Sequence, residues 1–143
     1  MAGLRSMMAP AILCAASYLR WIHLDGTPLS FLMAPVTLWI FTLLAIGELI
    51  VDKLPMTPPR TASMGLIARV ITGGLCGAAL AASGAKSLGV GALLGAIGGV
   101  VGAFAGYNIR HGLVTHMELP DFVVAVIEDL LAISGGLYVA SRM

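Results

Sequence analysis

Charge is scarce in this chain: only 10% of its 143 residues are Asp, Glu, Lys or Arg, and the net charge is +1. Without a Lys/Arg cluster there is nothing to hold a run of phosphates, so nucleic acid is not an expected partner. Cysteine is scarce too. Cys14 and Cys76 each sit inside an apolar run, with no C-x-x-C and no neighbouring His. Both read as small core-filling residues rather than a disulfide or metal pair. No His falls mid-stretch in an apolar run, which argues against a bound haem. G-x-S-x-G, H-E-x-x-H and nucleotide loops are all missing, and Ser6 and Ser134 have no His at helical spacing. The chain is not expected to be an enzyme, and no cofactor is expected.

What fills the chain instead is apolar. Hydrophobic residues make up 59%, glycine appears 18 times and methionine 8 times, and the mean hydropathy is +0.98. Apolar stretches near the length of a membrane span recur along it. The expected fold is an all-α, polytopic transmembrane bundle of about five helices, forming one domain over 1–143. The spans fall at about 3–22, 29–54, 62–83, 88–111 and 120–141. Turn chemistry separates them: "HLDGTP" (23–28), "PMTPPR" (55–60), "SGAKS" (83–87) and "HGLVTHMELP" (111–120). Pro120 suits the first turn of the last helix, and Asp121 its positive end. Pro10 and Pro35 either kink helices one and two or mark later starts. Helix one is also readable as a short or re-entrant segment. A signal peptide is not expected there, because Arg5 stands alone before the apolar core and Leu13 is too large for a lipoprotein site.

Helix four is striped with small residues: Gly91, Gly95 and Gly99, then Gly98, Gly102 and Gly106. Helix three adds Gly73, Gly74 and Gly77. Lipid gives little hydrophobic drive to helix association, so close backbone approach must supply the packing. These glycine-zipper stripes serve either packing within the chain or a homodimer seam. "GLRSMMAPAILCAA" (3–16) and "GLIARVITGGLCGA" (65–78) also echo one another faintly.

The rare charges are not scattered. With five spans, Arg5, Lys53, Arg60, Arg69 and Arg110 fall on one side, and Arg20, Lys86 and Arg142 on the other. The excess places the N-terminus in the cytoplasm. On that side, Glu48 lies ~9 Å into helix two, Arg69 ~10 Å into helix three, and Glu128 and Asp129 ~12–13 Å into helix five, at 1.5 Å per residue. Glu48 and Asp52, four apart, share a face. Glu128 and Asp129 point about 100° apart and serve different neighbours. Burying such groups costs roughly 2.5–3.5 kcal/mol each even on insertion scales, so pairing or water must offset it. Two arrangements meet that need. One is a salt-bridge network that fixes helix register. The other is a hydrated vestibule where Glu48, Asp52, Glu128 and Asp129 bind a cation or proton, balanced by Arg5, Lys53, Arg69 and Arg110. Tyr107 and Asn108 lie near this level. His23, His111 and His116 fall in loops, and Trp21, Trp39, Tyr18 and Tyr138 read as interfacial anchors or packing residues. Arg60, in the stiff "TPPRT" loop, reads as solvated.

"GELIVDKLP" (47–55) and the late Glu-Asp pair of "VVAVIEDLLAISGG" (123–136) together resemble a widespread bacterial family of small integral membrane proteins of unknown function. The matching residues are Glu48, Asp52, Lys53, Pro55, Glu128 and Asp129. Longer members carry an aromatic- and His-containing stretch after the first motif, where this chain has "MTPPRTASMG". The resemblance implies a bacterial membrane protein whose recurring residues are the charged ones. The functional expectation is a small transporter or channel for an ion or solute, working as a homodimer in the inner membrane. Glu48 and Glu128 would bind the cation or proton, Asp52 and Asp129 would tune them, and Arg69 would balance their charge. The alternative is a packing or lipid-binding subunit of a larger complex, its basic side holding anionic headgroups.

Overall fold

The structure is a computed structural model, which describes residues 5–51, 63–117 and 121–142. Five α-helices follow one another: α1 Met8–Tyr18, α2 Pro35–Val51, α3 Ser63–Ser83, α4 Leu88–Met117 and α5 Asp121–Ser141, with a short 3-10 helix at Ser30–Met33 before α2. No strand occurs among the described residues. Two helical segments, Met64–Ser83 and Leu88–Ile109, are long and apolar enough to cross a membrane. The outward faces of α2, α4 and α5 are apolar as well. Trp39, Leu43 and Ile50 on α2, Leu93 and Leu94 on α4, and Leu130 and Leu131 on α5 all stand exposed. That surface suits lipid and not water.

Helix one differs most from the sequence expectation. A span over 3–22 is replaced by 11 helical residues, about 16 Å long at 1.5 Å per residue and so too short to cross a hydrocarbon core. Pro10 falls in its first turn, where a missing N–H leaves nothing unsatisfied. Tyr18 ends it. Arg20 then takes a left-handed φ of 60°, while its N–H donates to the Ser17 carbonyl and that of Trp21 to the Ala16 carbonyl. This double bond pattern closes a helix C-terminus. The chain does not continue outward. Ile22, Leu24 and Leu32 fold back beneath α1 and are fully buried with Leu13, Cys14 and Ala79. Gly26, at a φ of 74°, makes the turn between them. α1 thus becomes the hub of the bundle, packed against α2, α3, α5 and the 3-10 helix.

Two further boundaries move. Pro35 is the first residue of α2, so it marks a later start and not a kink. α4 runs on to Met117, so the expected loop over 111–120 is mostly helix, and His111 and His116 belong to α4.

α3 and α4 form an antiparallel hairpin packed backbone to backbone. Gly77 faces Gly91, Gly73 faces Gly95 and Gly99 faces the Arg69 carbonyl. A Cβ on Gly73 would stand 2.5 Å from the Gly95 carbonyl oxygen, well inside contact distance. The stripe Gly91–Gly95–Gly99 is therefore used within the chain. Gly98 points elsewhere, and a Cβ there would meet nothing within 4 Å.

The turn of this hairpin carries a mismatch. Ala85 takes a φ of 52°, with its N–H bonded to the Ala82 carbonyl and that of Lys86 to the Ala81 carbonyl. Position 85 is where glycine usually stands in this motif, yet the glycine is one residue early, at 84. A left-handed non-glycine residue costs roughly 1–2 kcal/mol. Ala85→Gly should therefore raise the thermal unfolding midpoint in detergent. An unchanged or lowered midpoint would show that the turn is not strained.

Candidate functional site

Three consecutive residues, Arg5, Ser6 and Met7, join the two acidic motifs. They lie just before α1, on a chain that enters the bundle between α2 and α5. Glu48, the fourteenth of the seventeen residues of α2, turns its carboxylate to the start of α1. Its Oε1 accepts from the Ser6 N–H at 2.8 Å and from the Ser6 hydroxyl at 2.6 Å. Its Oε2 accepts from the Met7 N–H at 2.9 Å. The first amide groups of a helix have no partner within it, and the helix dipole favours negative charge there. Glu48 supplies both the acceptors and the charge, from a helix 41 residues away in sequence. α1 has no side-chain cap of its own.

Arg5 reaches the other way. Its Nε donates to the Asp129 Oδ1 at 2.7 Å, with the two side chains 1% and 17% exposed. Charge-assisted bonds of this length are the strong ones. The pair also sets register. Asp129 lies 124 positions after Arg5, and Gly136, which packs on Ile12, keeps the same offset. α1 and α5 therefore run parallel, side by side. Breaking a buried ion pair by removing one partner costs about 3–5 kcal/mol, whereas replacing both partners by apolar residues is often neutral. Arg5→Met or Asp129→Leu alone should destabilise the bundle strongly in detergent unfolding, and the double variant should recover most of the loss. A double variant as unstable as the worse single one would refute this account.

Arg69 and Glu128 are both buried, at 4% and 8% exposure. Arg69 donates from Nη1 to the Gly65 carbonyl at 2.9 Å, and its own backbone carbonyl is the surface on which Gly99 rests. Glu128 precedes Asp129 on α5 and is the more deeply enclosed of the two, in line with their divergent directions. Thr72, also buried, bonds back to the Ala68 carbonyl. Asp52, Lys53, Pro55 and Arg60 lie outside the described residues. Arg110 belongs to α4, and its side chain is not among those described. Tyr107 and Asn108 do not face this cluster: both are exposed on α4, where the Tyr107 ring stacks on His111 with 6.1 Å between centroids. Tyr138 and Arg142 pair in the same i, i+4 manner at the end of α5, as expected near a membrane–water interface.

Sequence reasoning named the acids but not their donors. Two of the three donors to Glu48 are backbone amides, which no residue identity announces. Ser6 was legible only as a serine near charges. A second feature was also missed. A cavity of about 290 Å³ lies between α1, α3, α4 and α5, lined by residues such as Ile12, Leu13, Gly73, Cys76, Gly98 and Val139. Its walls are aliphatic side chains and glycine backbone, and none of the charged side chains named above lines it.

Residues 1–141 match the sequence model of a family described as a domain of unknown function (DUF4126). No curated protein matches the chain, and no solved structure does.

Proposed function

This chain belongs to the DUF4126 family, and from that premise we propose that it is a small membrane transporter or channel for a proton or small ion, worked by the charged cluster at the start of α1. The observation that carries the reading is the three-donor clasp on Glu48. A buried half-length helix whose N-terminus meets an anionic group is how broken-helix transporters build their ion sites. Here the anionic group is part of the protein. As a carboxylate, Glu48 accepts all three hydrogen bonds. A neutral carboxyl would hold the same donors by weaker, uncharged bonds and would add an O–H to be placed among them. A small cation at the carboxylate competes for the same lone pairs. Ion binding and α1 docking therefore oppose one another, and by linkage each weakens the other equally.

Arg5 and Asp129 tie the same segment to α5, so release of α1 is felt on both sides of it. Arg69 and Glu128 add buried charge on α3 and α5, and intramembrane ionisable groups point to function by default. In this reading the chain sits in the cell membrane of a bacterium with this cluster towards the cytoplasm, the orientation favoured by the sequence positions of Lys53, Arg60, Arg69 and Arg110, which follow α2, begin α3 or end α4 at the cluster's end of the helices, against Lys86 and Arg142 at the other. The test is reconstitution into liposomes with an internal pH dye and an imposed ion gradient. Wild type should dissipate the gradient, and Asp129→Asn and Glu48→Gln should not. Liposomes that hold their gradient with wild-type protein present would defeat the proposal. A packing or lipid-binding subunit is the second reading, favoured by the apolar lining of the cavity.

A further inference from the structure

We propose that the cavity between α1, α3, α4 and α5 is a hydrocarbon site that holds one lipid acyl chain, entering sideways between α4 and α5. Three observations lead there. The first is composition: the lining is mostly apolar, aliphatic side chains with glycine backbone between them, and such a surface takes up apolar guests more readily than water. Left empty, its walls would forgo their dispersion contacts.

The second is depth. Gly73 is the tenth of the twenty residues in the span Met64–Ser83, and Gly98 the eleventh of the twenty-two in Leu88–Ile109. Both line the cavity. It therefore reaches the middle of the two spans and extends from there towards the α3–α4 turn, where Leu80 and, near the end of α5, Val139 also line it, all within the apolar length of the helices. The third is the mouth. Gly98 and Val139 line the cavity yet are exposed on the outer surface, and among the described residues α4 touches α5 over a short stretch. The opening thus faces the lipid and not either aqueous side. A chain end entering from the bilayer meets aliphatic side chains and glycine backbone throughout.

This site is distinct from the charged cluster, and its test does not use ion flux. The protein is reconstituted into nanodiscs of phosphatidylcholine carrying a diazirine at the end of one acyl chain. After illumination, adducts are mapped by mass spectrometry. Adducts are expected at Ile12, Leu13 and Cys76, which face the cavity, as well as at the outward Leu93 and Leu94. Gly98→Phe fills the mouth from a position with free space around it, and should abolish the inner adducts while leaving those at Leu93 and Leu94. Val139→Trp closes the mouth from α5 and should do the same, so a folding failure of either variant does not spoil the test. A diazirine placed beside the headgroup should label none of the inner residues. Inner residues unlabelled in the wild type, or labelled equally in both variants, would overturn the site. So would protein–protein crosslinks across the mouth without lipid adducts, which would make a second copy of the chain its occupant.

Discussion

Glu48→Gln should abolish ion movement in liposomes and free the start of α1, while the rest of the bundle stays folded. The substitution keeps the size and removes the charge. Of the two carboxylate oxygens that now accept from Ser6 and Met7, the amide retains one and turns an N–H₂ group towards the donors of the other. Hydrogen bonds to a charged group contribute about 1.5–3 kcal/mol, and a stranded donor costs about 1–3 kcal/mol. The loss falls on α1 because the other helices do not depend on this cap. Amide hydrogen exchange reads it directly: protection at residues 6–11 should drop sharply, while that of the α3–α4 hairpin should not change. Exchange that rises everywhere would mean that Glu48 holds the whole fold together, and flux that survives in the variant would remove Glu48 from the mechanism.

The second large effect concerns two glycines on one helix. Gly95→Ala should destabilise the protein severely, and Gly98→Ala should leave its stability unchanged or slightly higher. A Cβ on Gly95 would run into the Gly73 carbonyl and come within 2.9 Å of the Gly77 Cα. These are backbone atoms that no rotamer change can move aside, so α3 and α4 must separate along their length. Forcing extra carbon into a packed interface costs roughly 1–3 kcal/mol and sometimes more. The same methyl on Gly98 meets nothing within 4 Å and adds the helix preference of alanine over glycine, worth about 1 kcal/mol. Thermal unfolding of both variants in one detergent compares them with propensity held equal. Equal midpoints would contradict the backbone contact.

Some of this could be read from the residues alone. Turn chemistry around "SGAKS" placed the α3–α4 turn, and Pro35 offered a later helix start as one option. The glycines of α4 announced close contact, but two stripes of equal spacing did not say which one α3 would take. Both stripes satisfy the same local pattern, and only the facing residues of α3 distinguish Gly95 from Gly98. Helix one stayed open between a span and a short segment because residues 7–22 are apolar enough to suggest a span. Apolar residues also line a buried loop, and hydropathy does not distinguish Ile22 and Leu24 facing lipid from the same residues tucked beneath α1. Arg5, Glu48, Arg69, Glu128 and Asp129 were found from their rarity in apolar helices. Their partners were not, since Arg5 could as well have met Glu48 as Asp129.

The sequence by itself determined the class of the molecule and the number of its helices, and it singled out Arg5, Glu48, Arg69, Glu128 and Asp129 as rare charges in apolar helices, because hydropathy and turn residues act over a few neighbouring positions. Tertiary structure alone decided that α1 stops short, that the Ser6 and Met7 amides close on Glu48, that Arg5 turns to Asp129, and that an apolar-lined cavity remains among α1, α3, α4 and α5. The Glu48 clasp and the Arg5–Asp129 pair join segments 41 and 124 positions apart, and neither backbone amides nor a choice among several possible ion partners is written in a local run of residues.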